Sequence, residues 1–162
     1  MSLPKLLIIG QPFNNNCGGG ITQANLFVGW DKDKIAVLCT DHMFNNLNTE
    51  ICDTYYLLGS EEYKWNFPFN LLQRKVLSGS VKVKKSNDKP GPVSAKAKFR
   101  TKIIDKYFYP SLEYIGLFHS ISKITLSDKL CKWLDEYNPD VIYAQATSRE
   151  GDLFCRLLQE YG

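Results

Sequence analysis

The sequence predicts an α/β protein, a Rossmann-like open parallel sheet with flanking helices. Three observations predict it. Short apolar or β-branched runs (Leu6–Ile9, Ile35–Cys39, Thr54–Leu58, Val141–Ala144) are bounded by Gly, Asp, Pro or Asn, as buried parallel strands are. Segments with helical spacing separate the first pair and flank the last. The order strand, helix, strand, then helix, strand, helix is that of a parallel sheet. At 162 residues the chain is long enough for one domain with its own core, and residues 1–162 are read as that single domain.

The first strand runs through Lys5-Leu-Leu-Ile-Ile-Gly10 and is followed by seven polar-rich residues and then Gly18-Gly19-Gly20-Ile21. Three consecutive glycines let backbone N–H groups approach an anion closely. A helix starting at Ile21 would aim its positive end at the same point. Ile21, Ala24, Phe27 and Val28 give that helix its apolar face, and Gly29 closes it. The strand Ile35–Cys39 follows, then Thr54–Leu58.

The middle of the chain is basic. Between Arg74 and Lys106 stand eleven Lys/Arg against Asp88 and Asp105, a net +9, so the remaining residues sum to −6. Residues 79–98, rich in Lys, Ser, Gly and Pro, read as a mobile basic loop. Beyond it, 99–109 has the pattern of a basic amphipathic helix, and Pro110 opens a further helical piece around 112–118. Two readings apply: a solvated loop, or an anionic membrane contact through Lys96, Lys98, Arg100 and Lys102 with Phe99, Tyr107, Phe108 and Tyr109. Nucleic acid ranks below both, because these charges fall in a low-complexity segment.

Leu126, Leu130, Trp133, Leu134 and Tyr137 mark one face of the next helix, which Asn138-Pro139 ends. After the strand Val141–Ala144, Thr147-Ser-Arg-Glu150 has capping-box form. Leu153, Phe154, Leu157, Leu158 and Tyr161 line the last helix. No further strand follows it before Gly162, so the sheet is expected to be the front part of a larger one, with an edge open to a second copy.

Five cysteines show no metal-ligand spacing, and His42 and His119 are isolated, so no metal site or cofactor is expected. The cysteines read as reduced thiols, with a reactive role for Cys17 as the minor alternative. A dinucleotide fingerprint fails at position 23, where Gln stands in place of the third glycine. There is no P-loop motif. No apolar run is long enough to span a membrane or to form a secretory leader.

Taken together, Gly18-Gly19-Gly20-Ile21, the strand Ile35–Thr40 and the run from Leu130 through Pro139-Asp-Val-Ile142 resemble the N-terminal, acceptor-side domain of GT-B glycosyltransferases related to glycosyltransferase family four. The resemblance covers roughly residues 4–60 and 120–162. It implies an incomplete GT-B N-terminal domain, with Gly18, Gly19, Gly20, Gln145 and Ser148 on the acceptor and phosphate side of a cleft. It also implies a nucleotide-sugar donor held by a second domain, a saccharide or lipid-linked acceptor, and a cytoplasmic, membrane-peripheral location. Neither histidine matches that family's catalytic position. The alternatives are a non-catalytic Rossmann-like binding module and, behind it, a NAD-binding or nucleotide-binding protein.

Overall fold

A computed structural model describes residues 3–40, 47–71, 73, 75–83, 104–114, 122–145 and 149–162. Strands β1 (Leu6–Ile9), β2 (Ile35–Thr40), β3 (Thr54–Leu58), β5 (Gly79–Lys82) and β7 (Val141–Ala144) form one sheet in the order β5-β3-β2-β1-β7. Four of these run parallel, and β5 is antiparallel to β3. The fold is therefore mixed α/β with a mostly parallel sheet, a generic Rossmann-like architecture. A two-stranded ribbon, β4 (Tyr63–Trp65) with β6 (Ser122–Ile124), lies beside it. Among the described residues the α-helices are α1 (Gly18–Leu26), α2 (Tyr109–Tyr114), α3 (Asp128–Tyr137) and α4 (Arg149–Tyr161).

Alternation along the central strands builds two cores. Leu6, Ile8, Val37 and Tyr55 face one side, where Phe27 and Ala24 of α1 meet them. Leu7, Ile9, Leu38 and Tyr56 face the other, against Leu130 and Leu134 of α3 and Phe154 and Leu158 of α4. Both faces of β1 and β2 are covered, which is why their sequences read as unbroken apolar runs. Serine at position 127 caps α3, its Oγ accepting from Leu130 N at 3.2 Å. Asn138 ends that helix in the left-handed region, at φ 48°.

Several expectations need correction. The helix α1 starts at Gly18, so the glycine triplet is its first turn and not a loop before it. Its buried face is Gly20, Gln23 and Phe27, while Ile21 and Val28 are exposed. Residues 79–82 form a strand rather than loop, because Val81 pairs with Tyr55 at the edge of β3 and packs on the first core. That strand also makes the sheet mixed instead of wholly parallel. The ribbon strands β4 and β6 were not foreseen; each is three residues long, too short for a visible period. The remainder of the basic segment, 84–103, lies outside the described residues, as do Thr147 and Ser148 of the capping box. Among the described residues, no helix is long and apolar enough to cross a membrane.

Burial sets an alkaline limit on the fold. The Cys52 thiol donates to Thr54 O at 3.3 Å and Ile35 O at 3.5 Å, and burial pushes it up to about 12. Burial likewise pushes the Tyr56 phenol to about 12, and Tyr55 and Tyr137 move in the same direction. Each is an acid kept neutral by folding, with its folded pKa above the unfolded value. Their contribution is therefore complete below about pH 9 and declines as pH rises toward 12. Urea midpoints are expected to fall steadily from pH 9 to 11; a flat profile there would contradict this burial.

Candidate functional site

The chain leaves β1 through α1 on one face of the sheet and enters β7 from α3 on the other. Strand order thus reverses between β1 and β7. In open α/β sheets this switch point opens a crevice beyond the carboxyl ends of the two strands, with no crossover to fill it.

Gly10 and Gln145 close the floor of that crevice. Gln145 N donates to Ile9 O at 3.3 Å, continuing the β1–β7 ladder by one step. Gly10 turns away with φ +106°, and a Cβ there would stand 3.4 Å from Gln145 O. The positive φ and the tight contact both favour glycine. The Gln145 side chain is exposed and its Nε2 donates to the Tyr143 hydroxyl at 3.3 Å.

The wall is the turn between β1 and α1. Buried Asn14 organises it: its Oδ1 accepts from Cys17 N at 2.9 Å and from Asn16 N at 3.2 Å. A backbone bridge from Asn14 to Leu47, and Asn48 N donating to Phe13 O at 2.9 Å, hold the turn from outside. Cys17 is the N-cap of α1, its Sγ accepting from Gly20 N at 3.4 Å and from Gln11 Nε2 at 3.3 Å.

The three glycines divide in role. Gly18 and Gly19 are exposed, and as the first helical residues their N–H groups have no intrahelical acceptor. Gly20 is buried against the Asn14 side chain, 2.5 Å from where a Cβ would lie. No acidic residue stands in the first turn of α1, whereas α4 carries Glu150 and Asp152 in its first turn. The positive end of α1 therefore has no acidic side chain beside it.

Cys17 gains from the same geometry. The Gly20 N–H, and next the Asn14 side chain, hold its thiol below the ordinary value, and the residue is exposed. Burial moves Cys52 and Cys155 the opposite way. Brief iodoacetamide treatment followed by peptide mass spectrometry is expected to find Cys17 alkylated first. Faster labelling of Cys131 or Cys155 would refute the ordering.

Of the sequence-predicted site residues, the fold brings Gly18, Gly19 and Gln145 to the same sheet edge and gives Gly20 to packing. Ser148, Lys96, Lys98, Arg100 and Lys102 lie outside the described residues, as do His42, His119 and Phe99. Of the aromatics expected at a membrane, Phe108 packs against Trp65 and Phe69, with ring centroids 6.2 and 5.9 Å apart; Tyr107 is exposed. Gln23 is buried on the sheet-facing side of α1, and among the described residues its amide has no hydrogen-bond partner. It fills the interface where a dinucleotide fold uses glycine for close approach.

Sequence reasoning missed Glu62. This fully buried carboxylate accepts from Gly59 N at 2.9 Å, Tyr56 Oη at 3.3 Å, and Ser78 Oγ and Ser127 Oγ at 2.5 Å each. It ties the carboxyl end of β3 to the start of β5 and to the cap of α3. Its lone pairs are all engaged internally, which makes it an organiser of the edge. Among the described residues, no group of His, Cys, Asp and Glu is arranged to hold a metal ion.

No protein-family model, curated protein or solved structure matches this chain.

Proposed function

We propose that the chain is a Rossmann-like binding module that takes a small anionic ligand, of phosphate or diphosphate type, at the switch point between β1 and β7. The observation that carries this reading is the start of α1. Two exposed glycine amides lie there with no acid in the first turn, beside the Gly10–Gln145 floor. Such an end offers aligned N–H donors and a favourable dipole, and glycine lets an anion come close. Gly18 and Gly19 would donate; Gln145, with an exposed amide, would orient the rest of the ligand. Calorimetric titration with pyrophosphate tests the reading, and Gly18→Asp is the variant that removes binding while keeping the fold. Failure of the parent chain to bind pyrophosphate would end it.

The sugar-transfer reading is a narrower form of the same proposal. In its support, the glycine-started helix and the Pro139-Asp140-Val141-Ile142 strand, far apart in sequence, flank one crevice through the β1–β7 pairing. The β7 edge, with Val141 and Ile142 about half exposed, is suited to further strand pairing. Glycosyl transfer also requires the leaving diphosphate to be stabilised and water excluded. A single open crevice with its glycine donors supplies only part of that. The 162-residue chain alone is expected to release no sugar from a nucleotide-sugar in the presence of a saccharide or lipid-linked acceptor. Turnover by the purified chain would show that the whole catalytic apparatus is here.

A further inference from the structure

A second concave surface lies on the opposite face of the sheet from α1. It is a groove of about 500 Å³ between β6 and one flank of α4, lined by Ser122, Lys123, Ile124, Arg149, Arg156 and Glu160, with Leu153 and Leu157 in its floor. Its size is that of a small-molecule site. Three of the four ionisable groups are cations.

The charges are arranged rather than scattered. Arg149, Arg156 and Glu160 share one flank of α4 with Leu153, because positions 149, 153, 156 and 160 recur at helical spacing. The two arginines are two turns apart, about 10 Å along the axis. From the other wall comes Lys123, which is paired in register with Lys64 across the ribbon. Directly opposed lysines repel, and among the described residues neither Lys64, Lys123 nor Arg156 forms an ion pair or hydrogen bond. The nearby acid Glu150 accepts from Ser122 Oγ at 3.4 Å, and Glu160 lines the groove one turn beyond Arg156. The lining thus carries three cations against one acid, a net positive charge set around Leu153, Leu157 and Ile124.

We infer that this groove is a binding site for an organic phosphate, with the phosphate between Lys123 and Arg156 and an apolar body on Leu153 and Leu157. Arginine presents a planar fork that suits phosphate oxygens, and lysine adds a point charge. The apolar floor distinguishes this ligand from free phosphate, which would gain nothing there. The same chemistry is presented by a soluble phosphate ester and by a phospholipid headgroup. This site stands apart from the β1–β7 crevice and does not depend on it.

The test is a titration of the 15N-labelled 162-residue chain with phenyl phosphate, inorganic phosphate and benzyl alcohol, followed by amide shifts. Phenyl phosphate is expected to move residues 122–124 and 149–160 saturably, and to bind at least about threefold more tightly than inorganic phosphate. Benzyl alcohol is expected to leave these amides in place. Arg156→Gln and Lys123→Gln, both at exposed positions, are each expected to weaken phenyl phosphate by about three- to tenfold with unchanged thermal unfolding. Gly18→Asp is expected to leave this binding intact, which separates it from the switch-point site. Sedimentation with phosphatidylcholine vesicles, with and without phosphatidic acid, separates the two sources. Co-sedimentation that needs phosphatidic acid and is lost in Arg156→Gln assigns a lipid headgroup, and its absence alongside phenyl phosphate binding assigns a soluble ester. An undisturbed spectrum at residues 122–124 and 149–160, or equal binding by the parent and both variants, overturns the inference.

Discussion

Replacing Glu62 with alanine is expected to destabilise the chain by about 3–5 kcal/mol, the largest effect of any single polar residue here. The carboxylate receives four hydrogen bonds, from Tyr56, Gly59, Ser78 and Ser127. Truncation leaves the Gly59 N–H without its acceptor in a buried place, and the cost of an unmet donor exceeds the net worth of the bond. It also frees Ser127, whose Oγ caps α3 through Leu130 N; a lost cap costs about 1 kcal/mol by itself. The isosteric Glu62→Gln separates shape from chemistry. Its amide oxygen must face Gly59 N, which can only donate, and its NH2 must then face Tyr56 and Ser127, whose hydroxyls can turn and accept. A loss of about 1–2 kcal/mol is expected for Gln. Urea unfolding of both variants decides the matter; an alanine variant within about 1 kcal/mol of the parent would mean that water satisfies these donors and the network organises nothing.

Glu62 also marks where sequence reading stops. Three of the four parallel strands were legible because burial leaves an unbroken apolar signature, as in Leu6–Ile9 and Ile35–Cys39; β7 reads as apolar too, although as the edge strand it is largely exposed. The face of α3 was legible because Leu130 and Leu134 repeat at helical spacing and Asn138-Pro139 ends the pattern. Helix α1 was misread for a physical reason. Its sheet-facing residues include Gly20 and Gln23 beside Ala24 and Phe27; the first two are not apolar, so periodicity found Ala24 and Phe27 but filled the rest of the face with the exposed Ile21 and Val28. The strand β5 was hidden in a basic, Gly- and Ser-containing segment because edge strands tolerate polar residues; only Val81 and Val83 turn inward. Glu62 looked like any loop glutamate, since nothing local announces that serines 16 and 65 residues further on will converge on it. The same limit applies to the groove, whose two walls, Lys123 and Arg156, meet only through tertiary packing. At the crevice, the glycines and Gln145 were visible as motifs, but their division of labour was not.

That division yields the second large effect, on binding instead of stability. Gly18→Asp is expected to weaken pyrophosphate by at least about tenfold, because a fixed carboxylate at the mouth of α1 repels an anion a few ångströms away. The fold should tolerate it. A Cβ at position 18 meets nothing within 4 Å, and an acid in the first turn of a helix that has none is favourable by about 0.3–1 kcal/mol. Gly20→Ala should behave in the opposite manner. Its Cβ would lie 2.5 Å from the Asn14 side chain, the group that holds Cys17 N and Asn16 N, so a loss of about 1–3 kcal/mol in stability is expected. Gly19→Ala falls between them, since its Cβ would meet only the end of the Gln11 side chain, at 3.4 Å. Three neighbouring glycines therefore give three different outcomes in two assays, calorimetric titration and urea unfolding. If Gly18→Asp bound pyrophosphate as the parent does, the ligand would not be reading the helix end at all. The triplet would then owe its glycines to the packing of Gly20 against Asn14 alone, and Gly18 and Gly19 would have no part in recognition.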